Sequence, residues 1–189
     1  LNQQILDKLA VAYQRTSTPS ETALAVLKEV MQCRRVAGGH SCTADAPCAA
    51  CTGSHLPKIA ASIAKGQPIT FVLPAFPGKS PNLAKVLGVL PDMAERRALV
   101  FLQQLCERIG RIYEPGARIV LASDGRVFST VVGMSDQNVT AYRDELRQMI
   151  AQMGLDKIST FNLEELYEDS GSDEMRDQMM ENFGQSLEV

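Results

Sequence analysis

Tryptophan is absent from this 189-residue chain, aromatic residues make up only 5%, and the only histidines are His40 and His55. So small a stock of rings argues against a surface that stacks nucleobases. Nor is there a clustered Lys/Arg stripe to follow a phosphate backbone, so nucleic acid is not an expected partner. No apolar run approaches the ~20 residues that would span a bilayer, and no membrane contact is expected. Residues 1–8 contain no basic leader followed by an apolar block. A cytoplasmic location without a secretory signal is therefore the expectation.

What remains is the composition of a globular α/β protein, 45% hydrophobic and 22% charged. The net charge of −3 is unevenly spread. Residues 163–189 hold nine acidic residues and one basic residue, Arg176, which leaves 18 basic against 13 acidic over residues 1–162. A mildly cationic body suits an anionic small molecule. The expected organisation is a core over 1–162 with a helical lead-in (1–35) and a Cys/His-rich loop (36–55). An acidic segment, 163–189, follows it.

Apolar residues recur at helical spacing in several stretches. Leu6, Leu9, Ala10 and Tyr13 predict a helix over 2–15. Ser20 is read as the N-cap of a second helix, in which Ala23, Leu24, Leu27, Val30 and Met31 continue toward Arg35. Residues 36–54 look irregular, and a short helix is expected near 56–65. A long helix opens at Pro91-Asp-Met-Ala-Glu95 and carries Leu99, Leu102, Leu105, Cys106 and Ile109 inward. Another begins at Ser135-Asp136, with Val139, Tyr142, Leu146, Met149 and Ile150 on its apolar face. Strands are expected at 69–73, 118–122 and 157–161. Strands separated by helices of this length predict a mostly parallel, Rossmann-like sheet flanked by helices, preceded by an N-terminal helical segment. Met175, Met179 and Met180 give the acidic segment a marginal helical face.

Two loops stand out because each follows a predicted strand, where open α/β sheets bind ligands. The first is Phe76-Pro-Gly-Lys-Ser-Pro-Asn82. Its prolines restrict the backbone and Gly78 permits close approach, while Lys79, Ser80 and Asn82 offer a cation, a hydroxyl and an amide suited to an oxyanion. The second is Ser123-Asp-Gly-Arg126, offering acceptors, a possible base and a guanidinium. Either loop also reads as a plain turn, and Val127–Val131 as a return strand after an Asp-Gly turn. Both readings stay open on sequence.

Cys48-x2-Cys51-x3-His55, with Cys42 or His40 as a further ligand, has spacing compatible with structural zinc. The alternative is a loop of reduced thiols or a redox-labile pair. Cys33 and Cys106 fall in helices and read as core.

Taken in order, the motifs at 73–82, 85–88, 90–95, 123–128 and 132–136 resemble those of the isocyanide (isonitrile) synthase family, also called the pyoverdine/dityrosine biosynthesis family. The likeness runs from about residue 34 to 150. It implies a Rossmann-like enzyme that converts the α-amino group of tyrosine or tryptophan to an isonitrile. Ribulose 5-phosphate would supply the carbon, and no cofactor is required. On that reading Lys79 holds the sugar phosphate, polarises its ketone or, with a lowered pKa, serves as base or Schiff-base amine. Ser80, Asn82 and Lys85 bind phosphate or hydroxyls, Ser123, Asp124 and Arg126 handle the amino acid, and Phe76 joins the substrate-binding set. Chains of the family are distinctly longer, with a His-containing C-terminal region. The resemblance therefore implies a shortened member with little activity alone, pairing with a second copy or a further segment. A non-catalytic binding fragment and another sugar-phosphate enzyme are the alternatives.

Overall fold

The computed structural model describes residues 18–33, 42–130 and 133–166, with 174, 177–178 and 181–182 in the acidic segment. The helix expected over 2–15, His40 and the Met175/Met179/Met180 face lie outside the described residues. Two compact units are present, one of Leu1–Phe71 with Phe101–Ile119, the other of Val72–Val100 with Val120–Val189.

The described elements, in order, are α1 (Pro19–Met31), α2 (Ala49–Ala64), β1 (Ile69–Pro74), α3 (Met93–Ile112) and β2 (Ala117–Ser123). A one-turn helix α4 (Gly125–Phe128), α5 (Asp136–Gln152), β3 (Ile158–Asn162) and a 3-10 turn (Leu163–Leu166) follow. The sheet has the order β1-β2-β3. The Ile69 amide donates to the Gly116 carbonyl at 3.0 Å and the Ala75 amide to the Ala122 carbonyl at 3.2 Å. The sequence offset is the same at both ends, so β1 and β2 run parallel. Helical crossovers α3 and α5 join successive strands, as an α/β fold requires.

In the first unit α1 packs on α2, burying Ala23, Val26, Leu27 and Met31 of α1 and Ile59 of α2. Leu105, Cys106 and Ile109 of α3 and Ile119 of β2 are also buried there. Arg108 Nε meets Glu29 Oε1 at 2.6 Å. The Tyr113 hydroxyl donates to the Gln67 carbonyl at 3.1 Å. In the second unit the core is Leu99, Leu121, Val139, Tyr142, Leu146, Leu155 and Ile158. Burial of each large side chain contributes about 1.5–3 kcal/mol.

Several expectations shift. The cap of α1 is Thr18, not Ser20: its hydroxyl accepts from the Glu21 amide while Glu21 receives the Thr18 amide, and Pro19 occupies the first turn. The helix ends at Met31, short of Arg35. Helix α2 starts at Ala49, inside the stretch expected to be irregular, and accommodates Pro57. Leu24, Val30, Leu102, Met149 and Ile150 are only half-buried. Most consequentially, Val127 begins no return strand. The Val127 and Phe128 amides donate to the Asp124 carbonyl at 2.9 and 3.3 Å, closing a helical turn.

Candidate functional site

The site is built in the second unit, from the loops that leave β1 and β2. After Pro74 the backbone bends through Phe76 at φ 59°, a left-handed conformation uncommon for a bulky residue. Strain of this kind concentrates at ligand-binding positions. Gly78 follows at φ 154°, and a β-carbon there would stand 2.9 Å from Met134 Sδ.

The β2 loop comes directly against it. A β-carbon on Gly125 would lie 2.9 Å from the Pro77 carbonyl oxygen, 2.7 Å from Val139 Cγ1 and 3.1 Å from Ser123 Oγ. Only glycine admits this approach. Two clefts of about 350 Å³ each open beside the junction. One is lined by Pro77, Gly78, Ser80, Pro81, Asp124, Gly125, Phe128 and Met134. The other is lined by Pro74, Ala75, Pro77, Ala122, Ser123, Asp124, Phe161 and Leu163. Pro77 and Asp124 belong to both.

Lys79 turns away from these clefts. Its Nζ lies 3.0 Å from Asp92 Oδ2 and 2.8 Å from Glu95 Oε1, with the Lys79 and Glu95 side chains only 10% and 11% exposed. The acceptors are fixed by the start of α3: the Asp92 amide donates to Glu95 Oε2 at 2.8 Å and the Ala94 amide to Asp92 Oδ1 at 2.7 Å. This is a reciprocal cap. The Tyr142 hydroxyl donates to Glu95 Oε1 at 3.3 Å, adding α5 to the cluster.

Burial opposes the Lys79 charge, but its bonds to Glu95 and Asp92 outweigh that and raise its pKa above the usual lysine value. The Ala94 amide, then Lys79, lowers the Asp92 pKa. Burial, then the Glu95 carboxylate, pushes the Tyr142 phenol up. Lys79 is thus paired with two carboxylates, and its pKa moves in the direction opposite to the one a base or Schiff-base role needs.

Of the other expected residues, Ser80, Ser123 and Asp124 line the clefts. Ser123 Oγ accepts from the Gly125 amide at 3.1 Å. Asn82 is exposed and caps its own turn, Oδ1 accepting from the Ala84 amide at 2.9 Å. Lys85 is exposed, and neither it nor Phe76 lines either cleft. Arg126 also lines neither: its Nη2 lies 3.8 Å from Asp136 Oδ2, and Ser129 Oγ donates to Asp136 Oδ1 at 2.5 Å. Asp92, Glu95, Tyr142 and Asp136 were missed as parts of this region. The Asp-x-x-Glu spacing at 92–95 is a capping signal that could have revealed the first two. Nothing local marks the others.

Residues 59–188 match the model of the pyoverdine/dityrosine biosynthesis protein family. The chain belongs to that family. An L-tryptophan isonitrile synthase of Fischerella ambigua is 44% identical over 164 residues, covering 87% of this chain and 50% of the relative. An L-tyrosine isonitrile synthase of Pseudomonas aeruginosa is 56% identical over 111 residues, covering 59% of this chain and 34% of the relative. The crystal structure of the PvcA protein from Pseudomonas aeruginosa superposes with a TM-score of 0.73 at 42% identity, covering 91% of this chain and 56% of that one. The chain spans about half the length of the two curated L-tryptophan isonitrile synthases it matches. As a family member it shares the α/β fold expected from its sequence.

Proposed function

We propose that this chain carries the substrate-binding core of an isonitrile synthase. The reaction converts the α-amino group of tyrosine or tryptophan to an isonitrile in secondary metabolism, with ribulose 5-phosphate as carbon donor. The observation carrying this reading is the meeting of the two loops at Pro77 and Gly125, with Asp124 shared by adjoining clefts. Two reactants that must condense need neighbouring pockets and a proton acceptor between them.

Asp124 takes a proton from the substrate ammonium. The freed amine then adds to the C2 ketone of the sugar, forming a C–N bond, and the resulting carbinolamine loses water. Ser80 and Ser123, each lining one of the two clefts that share Asp124, offer hydroxyls to the sugar and the amino acid. Lys79 acts through position: its ammonium ties the β1 loop to the start of α3 and sets where Ser80 stands. The reading is supported by relatives whose names specify isonitrile synthesis from L-tryptophan and L-tyrosine. A cytoplasmic location and pairing with a second copy or a further segment belong to the same proposal.

The test is incubation of the chain, alone and within a full-length relative's framework, with tyrosine or tryptophan and ribulose 5-phosphate. Mass analysis should find the isonitrile in the full-length setting. Absence of product there, with every loop residue intact, refutes the reading.

A further inference from the structure

Outside the site, the first unit contains a second cluster with chemistry of its own. Cys42, Cys48 and Cys51 place their Sγ atoms within 4.8 Å of one another. Cys42 is 2% exposed, and its sulfur lies 3.8 Å from Cys51 Sγ. The Cys48 amide donates to Cys42 Sγ at 3.1 Å. Cys48 occupies the N-cap position of α2, and Cys51 lies in the first turn of that helix. None of the five described cysteines is in a disulfide. The cluster precedes the residues matched to the family, 59–188, so the proposed synthase chemistry leaves it unexplained.

We propose that Cys42, Cys48 and Cys51 form a three-thiolate site for a zinc ion, pinning the start of α2 to the loop before it. Zinc–sulfur bonds are about 2.3 Å long, so two thiolates at a tetrahedral angle stand about 3.8 Å apart. The Cys42–Cys51 separation already has that value. A metal bound here replaces the thiol protons, which pass to buffer, and leaves three thiolates around a dication. The excess negative charge sits at a helix N-terminus, where backbone amides and the helix dipole favour it. The amide of Cys48 also fixes the orientation of the Cys42 sulfur, as outer-sphere hydrogen bonds do at thiolate sites. His55, expected from spacing to join the set, is exposed on α2 and outside the cluster.

The chain is purified under reducing conditions without added metal, then analysed for zinc before and after incubation with zinc chloride and removal of excess. About one equivalent is expected, falling below about a tenth in C42S, C48S and C51S, with H55A unchanged. Should the serine variants fold poorly, cobalt(II) loading of the wild-type chain decides separately. Tetrahedral cobalt with intense thiolate charge-transfer absorption is expected. Failure of the reduced wild-type chain to retain zinc, or cobalt spectra lacking thiolate bands, overturns the proposal. So does zinc retained by folded C42S, C48S and C51S alike. Thiol titration in denaturant and chelator supplies a further arm: five reactive thiols are expected, and loss of two, in a Cys42–Cys51 disulfide, identifies a redox pair instead.

Discussion

The carbonyl oxygen of Pro77 and the α-carbon of Gly125 are packed so closely that a side chain on Gly125 would collide with backbone. This contact joins the loop after β1 to the loop after β2, and it explains why a glycine follows Asp124. It also lies beside the candidate site, since Pro77 lines both clefts and Gly125 lines one of them.

Gly125→Ala should therefore destabilise the chain by about 1–3 kcal/mol, the usual cost of overpacking, and weaken ligand binding in both clefts. Denaturant unfolding and calorimetric titration with ribulose 5-phosphate check the two effects. An alanine variant of full stability and affinity would show that the loops can separate without consequence.

Lys79→Met removes the cation between Asp92 and Glu95 and leaves two carboxylates facing each other. A melting temperature lower by several degrees is expected, because removing one partner strands the other charges. Adding Glu95→Gln should recover part of the loss. The pH dependence follows from the shifts. The raised Lys79 pKa contributes stability that is present below its ordinary value of 10.5 and disappears as pH rises through the folded value. The lowered Asp92 pKa contributes stability that is present above 3.8 and disappears as pH falls through the folded value. Between those limits the contribution should be constant. Melting curves of wild type and Lys79→Met should converge at both extremes, and parallel curves throughout would dissociate the ion cluster from stability.

Asp124 is exposed and shared by both clefts, so Asp124→Asn should leave the melting temperature unchanged. As the proposed proton acceptor, its loss should lower isonitrile formation about 10²–10⁴-fold in a full-length setting. Turnover unchanged in the asparagine variant would assign the proton transfer elsewhere.

Arg126→Ala should affect stability more than binding, since the guanidinium faces Asp136 and lines neither cleft. Amino-acid affinity within about twofold of wild type is expected, far less than loss of a charged hydrogen bond to a carboxylate would produce. A tenfold or greater loss of affinity, measured calorimetrically with a folded variant, would instead return Arg126 to the ligand.

The local elements of this protein are determined by its sequence. Ile69–Leu73 and Arg118–Ala122 are short apolar runs bounded by turn residues, and they form parallel strands as their spacing demands. Ser135 caps α5, accepting from the Asn138 amide at 3.2 Å, and Leu99 and Ile109 share the buried face of α3. Such outcomes depend on residues within one or two turns of each other, so they are readable along the chain. Even the position of two polar loops at strand ends follows from the alternation of strand and helix. The partners of the charged side chains do not. Lys79 finds Asp92 and Glu95 thirteen or more residues away, Glu95 meets Tyr142 across 47 residues, and Arg126 is held by Asp136. His55 has the right spacing for a metal ligand but falls on the exposed side of α2, whereas Cys42, nine residues before Cys51, is folded against it. Val127 has strand propensity, yet Asp124 starts a helical turn that Gly125 can pack beneath Pro77. Tertiary packing decided these points, because an ion pair or a thiol cluster depends on distance in space and on burial, and neither is a property of neighbouring residues alone.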